Sequence, residues 1–303
     1  MNSALAYSRH LDLRALASLQ HLQFAPRGLI EGAYSGRHPS RQRGGAGVFV
    51  DYREYAEGED LRHVDWKVLA RTGRAYSKLF QDETNLRATL VIDASRSMWF
   101  GARSSNDANG SKLEYAQRLA AALSYLITLR QDQVGLAVVG DGLKACISPG
   151  ATSEHLGVLH AALDDVKVEP ARHFNGALRK LFERSTRRGV LILLSDFLAE
   201  DSEALFHDLR LFRHRQWEVM ALHLVHPGEE RLPEGVAYRF EGLEGDGVVT
   251  CSPFDLRQAY AERFAGHLEV VRSLALATGC DYRRVSTGVS YLHVLRELLI
   301  ERS

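Results

Sequence analysis

Asp93, Ser95 and Ser97 form a D-x-S-x-S pattern directly after the apolar run Leu86 to Ile92. One carboxylate and two hydroxyls in a single turn are the outline of a hard-cation site. Magnesium prefers octahedral oxygen coordination and keeps several waters, so such a turn can hold it and leave one position open for an outside ligand. A second acidic turn lies further on, where the run Val190 to Ser195 leads into Asp196. Two strands that read as buried therefore each deliver an Asp at the carboxyl end, where open α/β sheets bind ligands. Asp or Ser after a strand also serves as a helix N-cap, accepting a backbone amide. The first turn alone does not separate cap from site, and the second Asp favours a site.

The elements that must position these residues can be read from periodicity. Leu113 to Leu129 is a strongly apolar helix, and Val134 to Gly140 reads as a fully buried strand. Asp141-Gly142 then suits a primed hairpin turn leading into Leu143 to Ser148. Helical patterns follow at Glu154 to Val166 and Asn175 to Arg184, before the strand that precedes Asp196. Helix 202–213, strand Trp217 to Val225, strands within Val236 to Cys251, helix Phe254 to Ala277, strand Asp281 to Val285 and helix Ser290 to Ile300 complete the chain. Strands alternating with helices imply a mostly parallel sheet covered on both faces.

Ahead of the first aspartate the text is different. Leu11 to Phe24 has helical spacing of its apolar residues, and Ala25 to Gly47 is rich in Gly, Arg, Ser and Pro without an apolar period. Arg37, His38, Arg41 and Arg43 make that stretch a basic arm, either a solvated surface or a docking element for an acidic partner. From Val48 to Glu83 balanced charges and aromatics are dense. Asp60 is placed to cap a helix carrying Leu61, Val64, Val68 and Leu69, ended by Thr72-Gly73 before the extended segment Ala75 to Phe80. The expected division is 1–47 as helix and arm, 48–85 as a charged, aromatic subdomain packed on the core with Tyr52, Tyr55 and Trp66 buried, and 86–303 as the α/β domain.

Composition excludes several classes. Among 303 residues, 38 Lys and Arg balance 38 Asp and Glu, so no global field points to nucleic acid. Cys146, Cys251 and Cys280 lack C-x-x-C spacing, which suits packed thiols in a reducing cytoplasm. No basic-then-apolar leader opens the chain, and the longest helix-like apolar stretch, Leu119 to Ile127, is too short to span a bilayer. The expectation is a cytoplasmic protein without membrane insertion.

The pattern D-A-S-R-S-M, the hairpin after the next strand and L-L-S-D-F at a later strand end resemble a von Willebrand factor A-type domain with its metal-ion-dependent adhesion site. Upstream, Asp51-Tyr52-Arg53-Glu54-Tyr55, Asp60-Leu61-Arg62-His63-Val64-Asp65-Trp66 and Ala70-Arg71-Thr72-Gly73 resemble the bacterial domain-of-unknown-function family fifty-eight. The resemblance covers roughly residues 35–225 and implies a von Willebrand factor A-like α/β fold. It further implies Ser95 and Ser97 as direct hydroxyl ligands of Mg2+, with Mn2+ or another divalent cation as substitutes, and Asp93 and Asp196 as acids that bind or orient metal-bound water. Members of this family are typically encoded beside MoxR-type AAA+ ATPases, so such an ATPase or its client is the implied partner. Many carry membrane helices before the domain.

The sequence departs from the A-type pattern in one place. The loop that should supply a Thr to the metal shell, Glu169 to Leu178, contains none, and Arg172 or His173 occupies its neighbourhood. A neutral His173 would be a softer ligand and an Arg would repel a cation. Phosphate-loop, dinucleotide, zincin and nucleophile-elbow motifs are absent, and His207 and His214 stand seven apart on one helix, not at ligand spacing. The expected function is a non-catalytic interaction module in which Arg96 and the arm at Arg37, Arg41 and Arg43 contact the partner. A metal-dependent hydrolase using the same cleft and a metal-free docking scaffold are the alternatives.

Overall fold

In a computed structural model the described residues are 9–27, 38–39, 48–56, 64–81, 83–84, 86–102, 110–169, 174–185, 188–198, 201–235, 237–244 and 247–302. The chain divides into two compact units, one comprising Met1–Phe24 with Arg87–Ser303 and the other Ala25–Leu86. The first helix, α1 (Leu13–Ala17), thus groups with the sheet and not with the arm that follows it in sequence. It is much shorter than the expected Leu11 to Phe24. Asp12 caps it, accepting from the amides of Arg14 and Ala15, and the chain then turns away. The apolar spacing after Ala17 serves a non-helical segment: Leu19 and Phe24 are buried, and Phe24 lies under the Arg302 guanidinium, 4.8 Å from ring to cation.

The smaller unit contains β1 (His38–Pro39), β2 (Val48–Glu54), α2 (Trp66–Thr72), β3 (Tyr76–Gln81) and β4 (Glu83–Thr84). β1 pairs antiparallel with β4, and β2 with β3. Helix α2 begins later than the sequence suggested. The Asp65 amide donates to the Tyr76 carbonyl, and Asp65 itself is extended. Asp65 is therefore the cap, accepting from Lys67 N at 2.9 Å and Val68 N at 3.2 Å. Gly73 ends the helix at φ 69°, a left-handed conformation suited to glycine. Trp66, expected to be buried, is 59% exposed at the first position of that helix. Asp60 and the side chain of Tyr52 lie outside the described residues.

The larger unit is built on a six-stranded sheet in the order β12-β9-β8-β5-β6-β7. These strands are β5 (Arg87–Asp93), β6 (Gln133–Gly140), β7 (Gly142–Gly150), β8 (Val190–Ser195), β9 (Glu218–Val225) and β12 (Asp281–Ser286). All pairings are parallel except β6 with β7. Helices α3 (Lys112–Leu129), α4 (Ser153–Asp164), α5 (Phe174–Arg184), α6 (Ser202–His214), α7 (Pro227–Glu230), α8 (Pro253–Thr278) and α9 (Tyr291–Ile300) connect and flank them. Strand residues alternate faces. Val91, Leu191, Leu193 and Ala221 form one core with Leu178, Leu205, Phe206, Phe212 and Val271 from α5, α6 and α8. On β5, Leu90 and Ile92 point to the other face, and α3 packs with α4 and α9. Both faces are covered, which explains why β5, β6 and β8 read as unbroken apolar runs.

The hairpin between β6 and β7 forms where expected but not with a primed turn. Only Gly142 has positive φ, at 90°, whereas a type I′ turn needs it at both central residues. The register shifts between Val138 and Val139 instead, and such a bulge supplies the local twist. β10 (Tyr238–Glu241) and β11 (Val248–Cys251) form a separate two-stranded ribbon, outside the main sheet. Of the cysteines, Cys280 is buried but Cys146, on the edge strand, is exposed, which corrects the expectation of three packed thiols. No helix among the described residues is long and apolar enough to cross a membrane.

Candidate functional site at the carboxyl ends of β5 and β8

β5 lies at the centre of the sheet between β6 and β8, and the chain leaves it toward β6 but returns on its other side as β8. This switch of direction opens a crevice at the strands' carboxyl ends. Asp93 closes β5 and Asp196 follows β8, so the topology brings the two acids together. Ser95 and Ser97 sit in the short 3-10 turn at Arg96–Trp99 and its cap, immediately after β5. All four side chains are buried, while Arg96 beside them is exposed. The segment at Glu169 runs alongside, bridged in parallel to Ser95, with the Glu169 amide donating to the Ala94 carbonyl at 2.9 Å. Arg172 and His173 beyond it, and Arg37, Arg41 and Arg43 of the arm, lie outside the described residues.

Each polar atom in the crevice has a partner. Asp93 Oδ1 accepts from the Ser95 amide at 2.8 Å, and its Oδ2 accepts from the Ser195 hydroxyl at 2.5 Å. The Ser95 and Ser97 hydroxyls are 2.9 Å apart. Asp196 Oδ1 accepts from the Leu198 amide at 3.1 Å. Its Oδ2 accepts from Lys112 Nζ at 2.7 Å, and the same ammonium bonds to Glu229. Lys112 is completely buried at the first position of α3.

These contacts polarise the two acids in opposite directions. Burial, then the Asp196 charge, push Asp93 up to about 7. Burial also works to raise Asp196, but the Lys112 ammonium and its hydrogen bond outweigh that and hold the carboxyl below its usual range. Lys112 is raised, because the charges of Asp196 and Glu229 overcome the penalty of its burial.

Sequence reasoning missed Lys112, Glu229, Ser195 and Glu244, whose carboxylate accepts from the Ser97 amide at 2.8 Å. A signal for Lys112 was present. A lysine in the first turn of a helix opposes the helix dipole, so it marks a position where acids elsewhere in the fold supply compensation. The capping box Ser111/Glu114 locates that turn. Nothing local identifies Glu229 or Glu244, which come from separate elements more than a hundred residues later.

The two serine hydroxyls stand at the distance of an ordinary hydroxyl hydrogen bond, which is also close to the spacing of neighbouring oxygens around magnesium. Adjacent vertices of an octahedron with metal–oxygen arms of about 2.1 Å lie about 3.0 Å apart. Among the described residues no three His, Cys, Asp or Glu side chains converge as ligands. A cation here depends on the serines.

The chain matches the profile of the family described as "Protein of unknown function DUF58" over residues 51–270, and it belongs to that family. The uncharacterized protein Rv1480 of Mycobacterium tuberculosis is 27% identical over 270 residues, covering 87% of this chain and 82% of the relative. The uncharacterized protein Mb1516 of Mycobacterium bovis matches to the same extent. Among solved structures, the conserved hypothetical protein BatB from Bacteroides thetaiotaomicron aligns with a TM-score of 0.48 at 16% identity, covering 72% of this chain and 98% of that one. The SpRpn10 VWA domain aligns with a TM-score of 0.40 at 12% identity, covering 70% and 94% respectively. The fold is von Willebrand factor A-like: a mostly parallel sheet with one antiparallel edge strand and helices on both faces.

Proposed function

We propose that this protein is a non-catalytic interaction module whose Asp93 turn receives a carboxylate from a partner protein through a bound divalent cation. The observation that carries the reading is the pair of buried serine hydroxyls at ligand spacing between two buried acids at a topological switch point. Ser95 and Ser97 would hold Mg2+ directly, with Asp93 and Asp196 orienting its waters, and the cation supplies an exchangeable position for an oxygen ligand. Trp99, in the turn after Asp93, and Leu198, two residues beyond Asp196, are each 45% exposed and are available for apolar contact. The sequence resemblance implies a MoxR-type AAA+ ATPase as neighbour, so such an ATPase or its client is the partner to test.

A second reading rests on Lys112. Its ammonium already answers the charge of Asp196, so the turn could dock an acidic segment without a divalent ion, as a metal-free scaffold. Titration calorimetry of this protein with a MoxR-type ATPase, in Mg2+ and in chelator, separates the two. The metal-bridged reading expects binding that needs Mg2+ and weakens at least tenfold in Ser97→Ala and Asp93→Ala. Binding indifferent to chelator selects the scaffold. Absence of binding in every nucleotide state removes the partner, and turnover of an ester or phosphate analogue lost in Asp93→Ala would contradict the non-catalytic assignment.

A further inference from the structure

The serine turn already holds a carboxylate of its own chain. Ser95 is the cap residue of the 3-10 turn, yet it makes no capping bond, because its hydroxyl faces Ser97 Oγ. The Ser97 amide, one of the donors that a cap ordinarily satisfies, is bonded instead to Glu244, 147 residues away in sequence. The turn's hydroxyls thus stay directed at one another while its amide is engaged by a remote acid.

Glu244 sits in the loop of the β10–β11 ribbon, which is closed by the Gly242 amide donating to the Gly247 carbonyl at 2.9 Å. Its neighbours show that this element is not core. The strand residues are mostly exposed, with Val248 and Val249 at 51% and 60%, and among the described residues the ribbon pairs with no strand of the main sheet. Two strands alone are marginally stable in water, so a ribbon of this kind can leave its site without unfolding the sheet beneath. Leu243, exposed beside Glu244, makes the tip an apolar–acidic pair.

Resting on the reading that the turn accepts a partner's carboxylate, we infer that Glu244 is a tethered internal ligand, which an acidic segment of a partner must displace before it can dock. Tethering sets an effective concentration that a lone carboxylate in solution must exceed, of roughly millimolar order. A partner therefore needs more than an acid: it must add apolar contact, for which the exposed Trp99 and Leu198, in the segments that follow Asp93 and Asp196, are available. The ribbon acts as a selectivity filter against free carboxylates and as a brake on premature docking.

The test uses the full chain, labelled for amide NMR, as wild type, Glu244→Gln and Glu244→Ala, with melting curves to establish that all three are folded. Exchange of the Ser97 amide reads the internal contact directly. It should accelerate roughly tenfold or more in Glu244→Ala and less in Glu244→Gln, which keeps an acceptor oxygen. Acetate, titrated in the presence of Mg2+ and followed at the Ser95 to Ser97 amides, should bind Glu244→Ala at least roughly tenfold more tightly than wild type. Unchanged Ser97 exchange, or equal acetate affinity in wild type and Glu244→Ala, overturns the tethered ligand. Acetate binding in neither protein, with the Ser97 amide still released in Glu244→Ala, overturns the docking function on which the competition rests.

Discussion

Replacing Lys112 with Met is the sharpest perturbation of the crevice. The side chain keeps its length and apolar stem but loses the ammonium that contacts Asp196 Oδ2 at 2.7 Å and also Glu229. At an effective dielectric of about 20, one such pair attracts by roughly 6 kcal/mol, most of which offsets desolvation. Removing one partner is different from never having had the pair. It leaves two carboxylates facing each other with their counter-charge gone, and loss of one member of a buried pair costs about 3–5 kcal/mol. Asp196 keeps its bond to the Leu198 amide, which places the loss toward the lower end. At roughly 2–4 °C per kcal/mol for a domain of this size, Lys112→Met should melt at least about 6 °C below wild type. Adding Asp196→Asn should restore part of that, since the orphaned charge is then removed. Melting followed by near-ultraviolet circular dichroism measures both. A Lys112→Met protein melting within about 2 °C of wild type would refute the claim that this ammonium carries the crevice's charge balance. The same variant should also gain more from Mg2+ than wild type does, because the acids then lack any other cation.

Further expectations follow from neighbouring features. If Mg2+ binds wild type with a dissociation constant of about 1 mM, then about 10 mM adds roughly 1.4 kcal/mol and a few degrees of melting temperature, whereas curves identical in Mg2+, Mn2+ and chelator would point to the metal-free scaffold. Burial holds His160 down to about 4, while in the unfolded chain it titrates near 6.5. Its contribution is therefore complete above about pH 6.5 and declines toward pH 4, by about 2 kcal/mol at pH 5, and His160→Asn should flatten the fall in melting temperature between pH 7 and 5. Removing residues 1–24 strips the buried Leu16, Leu19 and Phe24 from the larger unit, a loss of roughly 5–9 kcal/mol that rivals the whole stability of a domain. The truncated protein should lack a cooperative melt, and a native-like near-ultraviolet spectrum would contradict this.

The central sheet was legible because each of its strands is buried on both faces or bounded by clear turn residues, so apolar runs and spacing carry the information locally. Asp93, Ser95, Ser97 and Asp196 were legible for the same reason: each stands at the end of such a run. Less was legible where one residue type serves several ends. The apolar spacing of Leu11 to Phe24 looked helical, but Leu19 and Phe24 are buried from a non-helical segment, Phe24 beneath Arg302 of the chain's far end. Asp60 was read as the cap of the second helix, but the pairing of Asp65 with Tyr76 puts the cap at Asp65. The sequence by itself therefore determined the sheet, its helical cover and the strand ends that present the acids, since burial writes a periodic pattern. Only the tertiary structure decided what those acids meet. Lys112, Ser195, Glu229 and Glu244 arrive from four different elements, and charge pairing across such separations leaves no period in the chain.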